Sequence, residues 1–488
     1  MSNFDEIIEI CKRRGFFWPS FQIYGGSAGL YDYAPLGTIL KENVYKIWME
    51  EYLKIGAIPY DSPSITPEAV FRASGHLQRF ADLATTCEQC NSSYKVESLM
   101  SSQGINIVPI NEEQAVSLLT DNRIRCPKCG TFLKKAYNFN LMFQISSNSG
   151  EKLYLRPETA QGIFVNFKLL VTYNRGKLPM IVIQRGKGFR NEISPRQAII
   201  RQREFNMAEV EVFMDPADKT SFYPYKGEEI VLLSNDGREN KVDIEKAFSD
   251  GIIGTPEHAY FMEITLRIAL KLGIERNRLR FRQHRKDELA HYSSDCWDLE
   301  FKLDGDWVEI VGISDRGQFD VKNHQNSSGQ NMSTGEQGDI IPKVLEPAYG
   351  IDRMIMAILS SSYNKRDSGY KVLSLKEEIS PYVLAILPLQ KKDGLTEKAQ
   401  ELFNTMRQFE PRILFDDSGS IGRRYSRQDE IGTPYCITVD YDTLSRSVVT
   451  IRERDSQKQI KEVPISSLTD GSAFLNNDIL GRFKQGLQ

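Results

Sequence analysis

Residues 189–211 read FRNEISPRQAIIRQREFNMAEVE, and this stretch decides the fold. Two charged clusters, FRNE and RQREF, flank Pro195 and a short apolar run. Because side chains alternate along a β-strand, Arg190 and Glu192 share one face of the first strand. One face of the returning strand carries Arg201, Arg203, Phe205, Met207, Glu209 and Glu211. The stretch therefore predicts an antiparallel hairpin whose face combines cations, an aromatic ring and carboxylates.

These side chains suit a nucleotide bound together with an amine. Guanidinium groups pair with phosphate oxygens through two parallel hydrogen bonds. Phe205 offers a ring on which a purine stacks, and Glu209 offers a carboxylate for an ammonium group. An exposed hairpin of salt-bridged charges fits the pattern equally well, so both interpretations stay open at this point.

Length and composition restrict the class of protein. The chain has 488 residues, enough for two or three domains, and is 40% hydrophobic and 26% charged, as globular proteins are. A net charge of −3 excludes a bulk basic field for nonspecific nucleic-acid binding, although one basic face remains compatible with tRNA. No apolar run approaches a membrane span, and residues 1–20 indicate an amphipathic helix rather than a signal peptide. We expect a cytoplasmic protein.

Periodicity divides the rest of the chain. Residues 4–14 and 37–54 have apolar residues at helical spacing, and 111–122 also favours a helix. Residues 361–378 have the composition of a linker. After them, strands and helices alternate as in a small α/β domain.

Four of the seven cysteines form two CxxC pairs, Cys87/Cys90 and Cys126/Cys129, separated by 35 residues. Two such pairs present four thiolates to one tetrahedral Zn²⁺ ion, so we expect a structural zinc site. Four free cysteines at a degenerate site are the alternative.

The hairpin resembles the second signature motif of class II aminoacyl-tRNA synthetases, in the form found in glycyl-tRNA synthetases. Other segments resemble the same family in the same order along the chain. They are YDYAPLG (31–37), TPEAVFRASGH (66–76), LRPETAQGIF (155–164), DCWDLEF (295–301), WVEIVGISDRGQFDV (307–321), LEPAYGIDR (345–353) and IGRRYSRQDEIGTPYCITVD (421–440).

The resemblance implies an α+β protein: an antiparallel-sheet catalytic core with helical and zinc-ribbon-like insertions, followed by an α/β anticodon-binding domain. We expect the catalytic core to comprise three segments: 1–85 with the dimerisation motif, 136–215 with the second motif and 291–360 with the third motif. Two insertions are expected between them, 86–135 with the CxxC pairs and 216–290, which is helical. A linker, 361–378, is expected to lead to the anticodon-binding domain, 379–488. Homodimerisation is expected through residues 31–76, because the long helix there carries more apolar surface than one face needs.

The implied activity joins glycine to ATP as glycyl-adenylate and transfers glycine to the 3′ end of tRNA(Gly). By the resemblance, Arg190 contacts the α-phosphate and Arg353 holds the terminal phosphates, so these two are the expected catalytic residues. Phe205 is expected to stack on adenine, and Glu309 to bind Mg²⁺. The full implied ATP site is Arg190, Asn191, Glu192, Arg201, Phe205, Glu309, Ile310, Arg316, Gly350 and Arg353.

Glycine has no side chain, so its site can hold only the ammonium and carboxylate groups and exclude larger molecules. The implied glycine site is Lys95, Glu158, Phe205, Glu209, Glu346 and Ala348. Two of these positions depart from the family pattern: Ala348 stands where the family usually has serine, and Lys95 stands at the usual arginine. Rejecting a larger side chain is easier than rejecting a smaller one, so we expect no editing domain.

For tRNA, the resemblance implies Arg196 at the acceptor end and Arg423, Arg424 and Arg427 at the anticodon stem-loop. Solvated surface arginines are the alternative for these four residues. Two other functions stay open. A non-catalytic relative that keeps the fold to bind nucleic acid is disfavoured by the intact phosphate arginines, and a synthetase for another small amino acid is allowed by Ala348.

Overall fold

The computed structural model describes residues 2–105, 107–148, 150–193, 195, 197–218, 221–222, 227, 229–335 and 338–469. Its first helix is closed at both ends by local chemistry. The Ser2 hydroxyl accepts a hydrogen bond from the backbone N–H of Asp5, while Gly15 ends the helix with a φ of 84°. The N-terminal elements are α1 (Asn3–Arg14), β1 (Phe17–Pro19), β2 (Tyr31–Tyr33), α2 (Pro35–Leu53), β3 (Ile58–Pro59), β4 (Ile65–Pro67), α3 (Glu68–Ala73) and α4 (His76–Arg79).

A small lobe follows, built around the cysteine pairs. Its strands β5 and β7 pair outside the expected 86–135 insertion, so the lobe is a few residues longer at each end. The predicted helix at 111–122 is confirmed as α6. The elements are β5 (Ala81–Thr86), β6 (Ser93–Lys95), α5 (Val96–Ser101), α6 (Glu112–Asp121) and β7 (Tyr137–Asn140).

The predicted antiparallel hairpin is confirmed and lies toward one edge of the main sheet, where β10 is next to the edge strand β3. Its strands are shifted from the prediction: β10 ends at Phe189 and β11 begins at Glu204, so Arg190, Glu192, Arg201 and Arg203 lie in the connecting segment. Strands β10 and β11 pair antiparallel over their length, with Gln184 opposite Glu209 and Gly188 opposite Phe205. The elements from here are β8 (Phe143–Ser146), β9 (Lys152–Leu155), α7 (Ala160–Val165), α8 (Phe167–Tyr173), β10 (Met180–Phe189) and β11 (Glu204–Met214).

The segment 216–290 corrects one expectation. It contains the predicted helical part, α9 (Ile244–Ser249) and α10 (Pro256–Lys271), but also β12 (Ile230–Leu233), β13 (Glu239–Val242) and β14 (Leu279–Gln283). These strands extend the main sheet instead of forming a separate helical insertion. All three are at most five residues long, so the long apolar repeat of α10 dominates the sequence pattern.

The main sheet has nine strands in the order β13-β12-β14-β15-β16-β17-β11-β10-β3. Most neighbours are antiparallel; β12–β14 and β10–β3 are parallel. The remaining elements of this region are β15 (Asp295–Leu303), β16 (Asp306–Gly317), α11 (Phe319–Ser328), β17 (Lys343–Gly350) and α12 (Ile351–Ser362).

One face of this sheet is covered by helices α2, α10 and α12. Val210 of β11 and Val311 of β16 point into this core, where Trp48 of α2 is fully buried. The apolar side chains of α2 therefore pack within the same chain, which removes the reason given above for dimerisation. The alternate residues of β11, β16 and β17 face the other side, where the charged hairpin lies.

The expected linker 361–378 is structured. Strands β18 (Tyr363–Lys365) and β19 (Lys371–Leu373) form a two-stranded sheet, and Leu373 is fully buried. Helix α1 also reaches the last domain, because Arg13 and Arg14 both pair with Glu430.

The last domain has a five-stranded mixed sheet in the order β21-β20-β22-β23-β24. This agrees with the predicted alternation of strands and helices. Its elements are β20 (Leu384–Pro388), α13 (Leu395–Met406), β21 (Ile413–Phe415), α14 (Ile421–Ile431), β22 (Tyr435–Val439), α15 (Tyr441–Arg446), β23 (Val448–Glu453), β24 (Gln459–Pro464) and α16 (Ser466–Thr469). None of the helices in the described ranges has the length and apolar character needed to cross a bilayer.

Candidate active site

A cavity of about 320 Å³ lies on the open face of the main sheet. Strand pairing sets its floor, because Ala348 of β17 lies between Glu209 of β11 and Gly312 of β16. The predicted site residues that line this cavity are Glu158, Arg190, Glu192, Arg201, Phe205, Glu209, Glu309, Glu346, Ala348, Gly350 and Arg353.

One end of the cavity is cationic and aromatic. The Arg190 guanidinium lies 5.2 Å from the centroid of the Phe205 ring and 5.3 Å from that of Phe80. Its Nε donates to the carbonyl oxygen of Pro157 over 3.3 Å. Arg190 is thus oriented by two rings and one carbonyl, and it lines the cavity.

Arg353 is the third residue of α12, which begins directly after Gly350. Its Nη1 donates to the Glu309 carboxylate over 3.0 Å and to the Glu309 backbone oxygen over 3.0 Å. A helix N-terminus favours anions, so an arginine at this position adds charge where phosphate is already favoured.

Asp352, which the sequence pattern does not single out, connects the helix that carries Arg353 to the hairpin. Asp352 is buried and accepts hydrogen bonds from the Tyr33 hydroxyl over 2.5 Å and the Gln202 amide over 2.8 Å. It also accepts from the backbone and side chain of Asn206 over 2.7 and 2.9 Å. One carboxylate therefore joins α12 to the hairpin and to β2.

The other end of the cavity is acidic. Glu209 accepts hydrogen bonds from the backbone N–H of Thr159 over 2.6 Å and from the Thr159 hydroxyl. Glu158 accepts from Gln161 over 2.9 Å, and His76 lies 3.6 Å from its second oxygen. All three predicted glutamates are more than nine-tenths buried.

Arg316 corrects an expectation, because it does not line the cavity as an ATP contact. It is 1% exposed, and its guanidinium pairs with Asp320 at 2.7 Å, Glu346 at 2.8 Å and Glu158 at 3.4 Å. Its role is to hold two of the pocket glutamates from behind. The ring of Tyr292 stacks on the guanidinium at 3.8 Å.

The buried carboxyl groups differ in protonation. Burial raises the pKa of Glu346 to about 8, with Glu158 and Glu209 adding to the effect and Arg316 opposing it. Burial also favours the neutral form of Glu158, but Arg316 and His76 keep its pKa below the ordinary value. Protonation of Glu346 is therefore favoured relative to a solvent-exposed glutamate, whereas Glu158 favours the ionised form.

Glu211 lies beyond Glu346 on the same face of the sheet, with carboxylate oxygens of Glu209, Glu211 and Glu346 within 4.8 Å of one another. It is fully buried, and its two carboxylate oxygens have no hydrogen-bond partner among the described residues. Burial raises the pKa of Glu211 well above its ordinary value, with Glu346 adding to the effect.

Three further predicted residues lie outside the cavity lining. Lys95 lies on β6 of the small lobe, where it pairs with Asp82 at 2.9 Å, so its expected contact with glycine is not supported. Ile310 is buried on the opposite face of the sheet. Asn191 is also outside the lining, and its backbone N–H donates to the carbonyl oxygen of Leu141 over 2.8 Å.

A second carboxylate accompanies Glu309. A Cβ atom placed on Gly312 would lie 3.5 Å from Asp298 Oδ1 and 3.6 Å from Glu309 Oε1, so these carboxylates flank the same glycine. Asp298 also accepts a hydrogen bond from His284 Nε2 over 2.6 Å. Carboxylate oxygens are the ligands that Mg²⁺ prefers, so this pair fits the metal.

The four predicted zinc ligands are brought together. Their Sγ atoms all lie within 4.8 Å of one another, with 3.4 Å between Cys87 and Cys129 and 3.5 Å between Cys90 and Cys126. Tetrahedral Zn–S bonds of ~2.3 Å require S···S separations of roughly 3.8 Å, so the cluster fits zinc. Burial opposes ionisation of Cys126, but hydrogen bonds led by that of the Tyr94 hydroxyl lower its pKa to about 6.

The predicted tRNA arginines divide into different classes. Arg424 is buried and donates to three backbone carbonyl groups, and Arg427 pairs with Asp416 at 2.8 Å. Burial of Arg424 corrects the expectation that it contacts tRNA directly, whereas Arg427 is partly exposed and its expected tRNA contact stays a prediction. Arg423 is exposed at the start of α14, and Arg196 lies outside the described residues.

Comparisons with known proteins bear on this geometry. Residues 139–228 match the family described as the tRNA synthetase class II core domain (G, H, P, S and T), and residues 384–471 match the anticodon binding domain. A glycine–tRNA ligase of Methanothrix thermoacetophila is 39% identical, over 94% of this chain and 95% of that protein. The chain belongs to the glycine–tRNA ligase family of class II aminoacyl-tRNA synthetases. Other relatives of that name, from Methanococcus maripaludis and Methanocaldococcus jannaschii, are each 36% identical over 96% of this chain and 98% of theirs.

A solved structure agrees with the fold of this synthetase family. Prolyl-tRNA synthetase of Giardia lamblia, in complex with prolyl-adenylate, superposes with a TM-score of 0.59. It covers 96% of this chain and 76% of that one at 15% identity, so the likeness concerns the fold alone. The expected α+β class II fold with a C-terminal anticodon-binding domain is confirmed.

Proposed function

We propose that this chain is a glycine–tRNA ligase, which activates glycine with ATP to glycyl-adenylate and transfers glycine to the 3′ end of tRNA(Gly). One observation carries the proposal: a single cavity has an arginine–aromatic end and a carboxylate end on one face of the sheet. The first suits a nucleotide, and the second suits the ammonium group of an amino acid. Membership of the family supports the assignment.

In the first step, a carboxylate oxygen of glycine attacks the α-phosphorus of ATP and pyrophosphate leaves. Positioning and charge stabilisation supply the catalysis, and no covalent bond to the enzyme forms. Arg190 offsets charge on the α-phosphate, because its guanidinium is fixed by Phe205 and the Pro157 carbonyl. Arg353 binds the terminal phosphates at the start of α12, and Phe205 stacks on adenine.

The glutamates select glycine. Glu158, Glu209 and Glu346 surround the ammonium group and fix its position, and larger amino acids are excluded by the volume of the pocket. Excluding larger amino acids by volume is effective, whereas discrimination by one methylene in an open pocket reaches only ~1–3 kcal/mol.

Glu309 and Asp298 are the proposed Mg²⁺ ligands. When bound, the metal offsets negative charge on the phosphates of ATP. The chain itself contributes the two carboxylates and the neighbouring Arg353, which pairs with Glu309 at 3.0 Å.

We also propose one structural Zn²⁺ ion held by Cys87, Cys90, Cys126 and Cys129. The thiolates join the two ends of the lobe, whose apolar core is small and includes Leu99 and Leu119. Metal analysis of purified protein should give one zinc per chain, and the Cys90→Ser/Cys126→Ser variant should lose it and become protease-sensitive between residues 81 and 140. An unchanged digestion pattern without zinc would contradict a structural role. Cys436→Ser, at a buried cysteine of β22, is the matched control.

The remaining assignments concern partners and location. We propose a homodimer, supported by exposed Leu53 and Ile65 within residues 31–76, and tRNA contacts that include Arg423. We keep 379–488 as the anticodon-binding domain and propose a cytoplasmic protein, in keeping with seven free cysteines.

The test of the whole reaction is aminoacylation of a tRNA(Gly) transcript with labelled glycine. Charging that needs ATP and glycine is expected, and a tRNA(Ala) transcript should remain uncharged. A non-catalytic nucleic-acid-binding relative would bind the transcript but would neither charge it nor bind ATP. That result would overturn the proposal.

A further inference from the structure

The position of Ala348 raises a question about the glycine pocket. Its methyl group lies on the floor beside Glu209, and its neighbour on the other side, Gly312, has no side chain. Between Glu209 and Asp298, the floor therefore has no side-chain hydrogen-bonding group, and its two small residues leave space unfilled. A serine is the residue that the family resemblance leads one to expect at 348.

A hydroxyl is present one step along the neighbouring strand. In the sheet, Ser314 of β16 lies opposite Glu346 of β17 on one side and opposite Cys296 of β15 on the other. Its side chain lines the same cavity. Gly312 and Ser314 lie on the same face of β16, so Ser314 is diagonal to Ala348.

The Ser314 hydroxyl is free to bind a ligand. It donates to Cys296 Sγ over 3.2 Å, and thiol sulfur is a weak acceptor. Within the described part of the chain, no donor contacts its oxygen lone pairs. The nearby Arg316 cannot supply a replacement, because its guanidinium is committed to Asp320 and the pocket glutamates.

We propose that Ser314 is a specificity-determining residue: its hydroxyl accepts a hydrogen bond from the α-ammonium group of glycine, and its side chain fills the volume that Ala348 leaves open. This inference rests on the proposed function and assigns to β16 a contact that would otherwise come from position 348 on β17. The ammonium group has three donors, and Ser314 adds a neutral acceptor beside the carboxylate of Glu346. The same hydroxymethyl group narrows the pocket against the methyl group of alanine.

A double-mutant cycle tests the inference, using glycine-dependent and alanine-dependent ATP–pyrophosphate exchange. Ser314→Ala should raise the KM for glycine about tenfold, because a hydrogen bond to a charged group is lost. It should also lower the preference for glycine over alanine, because removing the hydroxyl leaves room for the methyl group of alanine. In the Ser314→Ala background, Ala348→Ser should restore most of the loss, because it returns a hydroxyl to the pocket floor. Ser294→Ala is the control, since Ser294 is exposed and lies outside the cavity lining.

The outcomes separate this inference from the proposed function. Absence of glycine-dependent exchange in the wild type would overturn the proposed function. Normal exchange in the wild type with unchanged kinetics in Ser314→Ala would overturn the role of Ser314 alone. The inference is also wrong if Ala348→Ser has the same effect in both backgrounds. Should Ser314→Ala fail to fold by its melting curve, Ser314→Cys keeps a side chain of similar size with only a weak acceptor. A raised KM for glycine in that variant would support the inference, and a wild-type KM would contradict it.

Discussion

Asp352 accepts hydrogen bonds from both the backbone N–H and the side-chain amide of Asn206, at 2.7 and 2.9 Å. This contact fixes the start of α12 against β11, and so sets the distance between Arg353 on the helix and Phe205 on the strand. The same carboxylate accepts from Tyr33 and Gln202. The two ends of the nucleotide site therefore depend on a residue that is 2% exposed.

Asp352→Ala should lower both stability and ATP affinity. Several buried donors lose their acceptor, and each unsatisfied group costs ~1–3 kcal/mol, so we expect a loss of about 3 kcal/mol in the free energy of unfolding. Urea denaturation measures it, and the KM for ATP should rise in the remaining folded protein. Asp367→Ala, at an exposed aspartate between β18 and β19, should change neither. Wild-type stability and KM in Asp352→Ala would contradict this role.

Arg190→Lys should reduce the rate of adenylate formation without unfolding the protein. Lysine keeps the charge but loses the planar fork, and the loss of one preorganised donor costs a factor of ~10²–10³ in kcat. Pyrophosphate exchange at saturating glycine measures the effect. Arg185→Lys, on β10 five residues before Arg190 and paired with Glu42 at 2.8 Å, is the matched control and should exchange normally. Equal rates for the two variants would remove Arg190 from the mechanism.

Glycine binding should strengthen as pH rises from 6 to 8. The pKa of Glu346 is raised to about 8 in the unliganded pocket, whereas a bound ammonium group favours the carboxylate. Binding then releases a proton, so the KM for glycine should fall by up to about tenfold per pH unit below 8 and level off above it. Calorimetry in two buffers of different ionisation enthalpy should detect the released proton. A glycine KM that is constant between pH 6 and 8 would contradict this proton displacement.

Glu211→Gln should stabilise the protein at higher pH. An ordinary glutamate has a pKa near 4.5, and that of Glu211 is well above this value in the folded chain. Below pH 4.5 Glu211 is protonated in both the folded and the unfolded chain, so it does not contribute to the pH dependence of stability. As pH rises further, the unfolded chain releases the proton first, so wild-type stability falls by up to about 1.4 kcal/mol per pH unit until the folded pKa is reached. The stability difference between variant and wild type should therefore widen from pH 5 to pH 8.

Denaturation at both pH values measures that difference. Glu50→Gln, at an exposed residue of α2, controls for the loss of one charge. A gap that is the same at pH 5 and pH 8 would mean that Glu211 is ionised in the folded protein.

Local patterns predicted the parts of the fold whose residues determine their own conformation. Alternation over 189–211 predicted the hairpin, apolar spacing predicted α1 and α2, and the CxxC spacing predicted the thiol cluster. The strands β12 to β14 were missed because each has at most five residues, and their pairing at the end of the main sheet stabilises them as strands.

Long-range partners explain the errors at the site. Nothing near Arg316 in the sequence reveals Glu158, which lies far away along the chain and pairs with it at 3.4 Å. Asp352 was missed for the same reason, since its partners come from β2 and the hairpin. The nearby Asp320, four residues after Arg316, was the one available signal for a buried ion pair.

The most direct test of the central claim is amino-acid-dependent ATP–pyrophosphate exchange by the purified, metal-replete protein, with glycine, alanine and serine compared. We expect exchange with glycine, and a kcat/KM for alanine and for serine that is at least about a hundredfold lower. Exchange that favours alanine or serine would contradict the assignment of the acidic pocket to glycine. No exchange with any of the three, in folded protein, would contradict the claim that this cavity joins an amino acid to ATP.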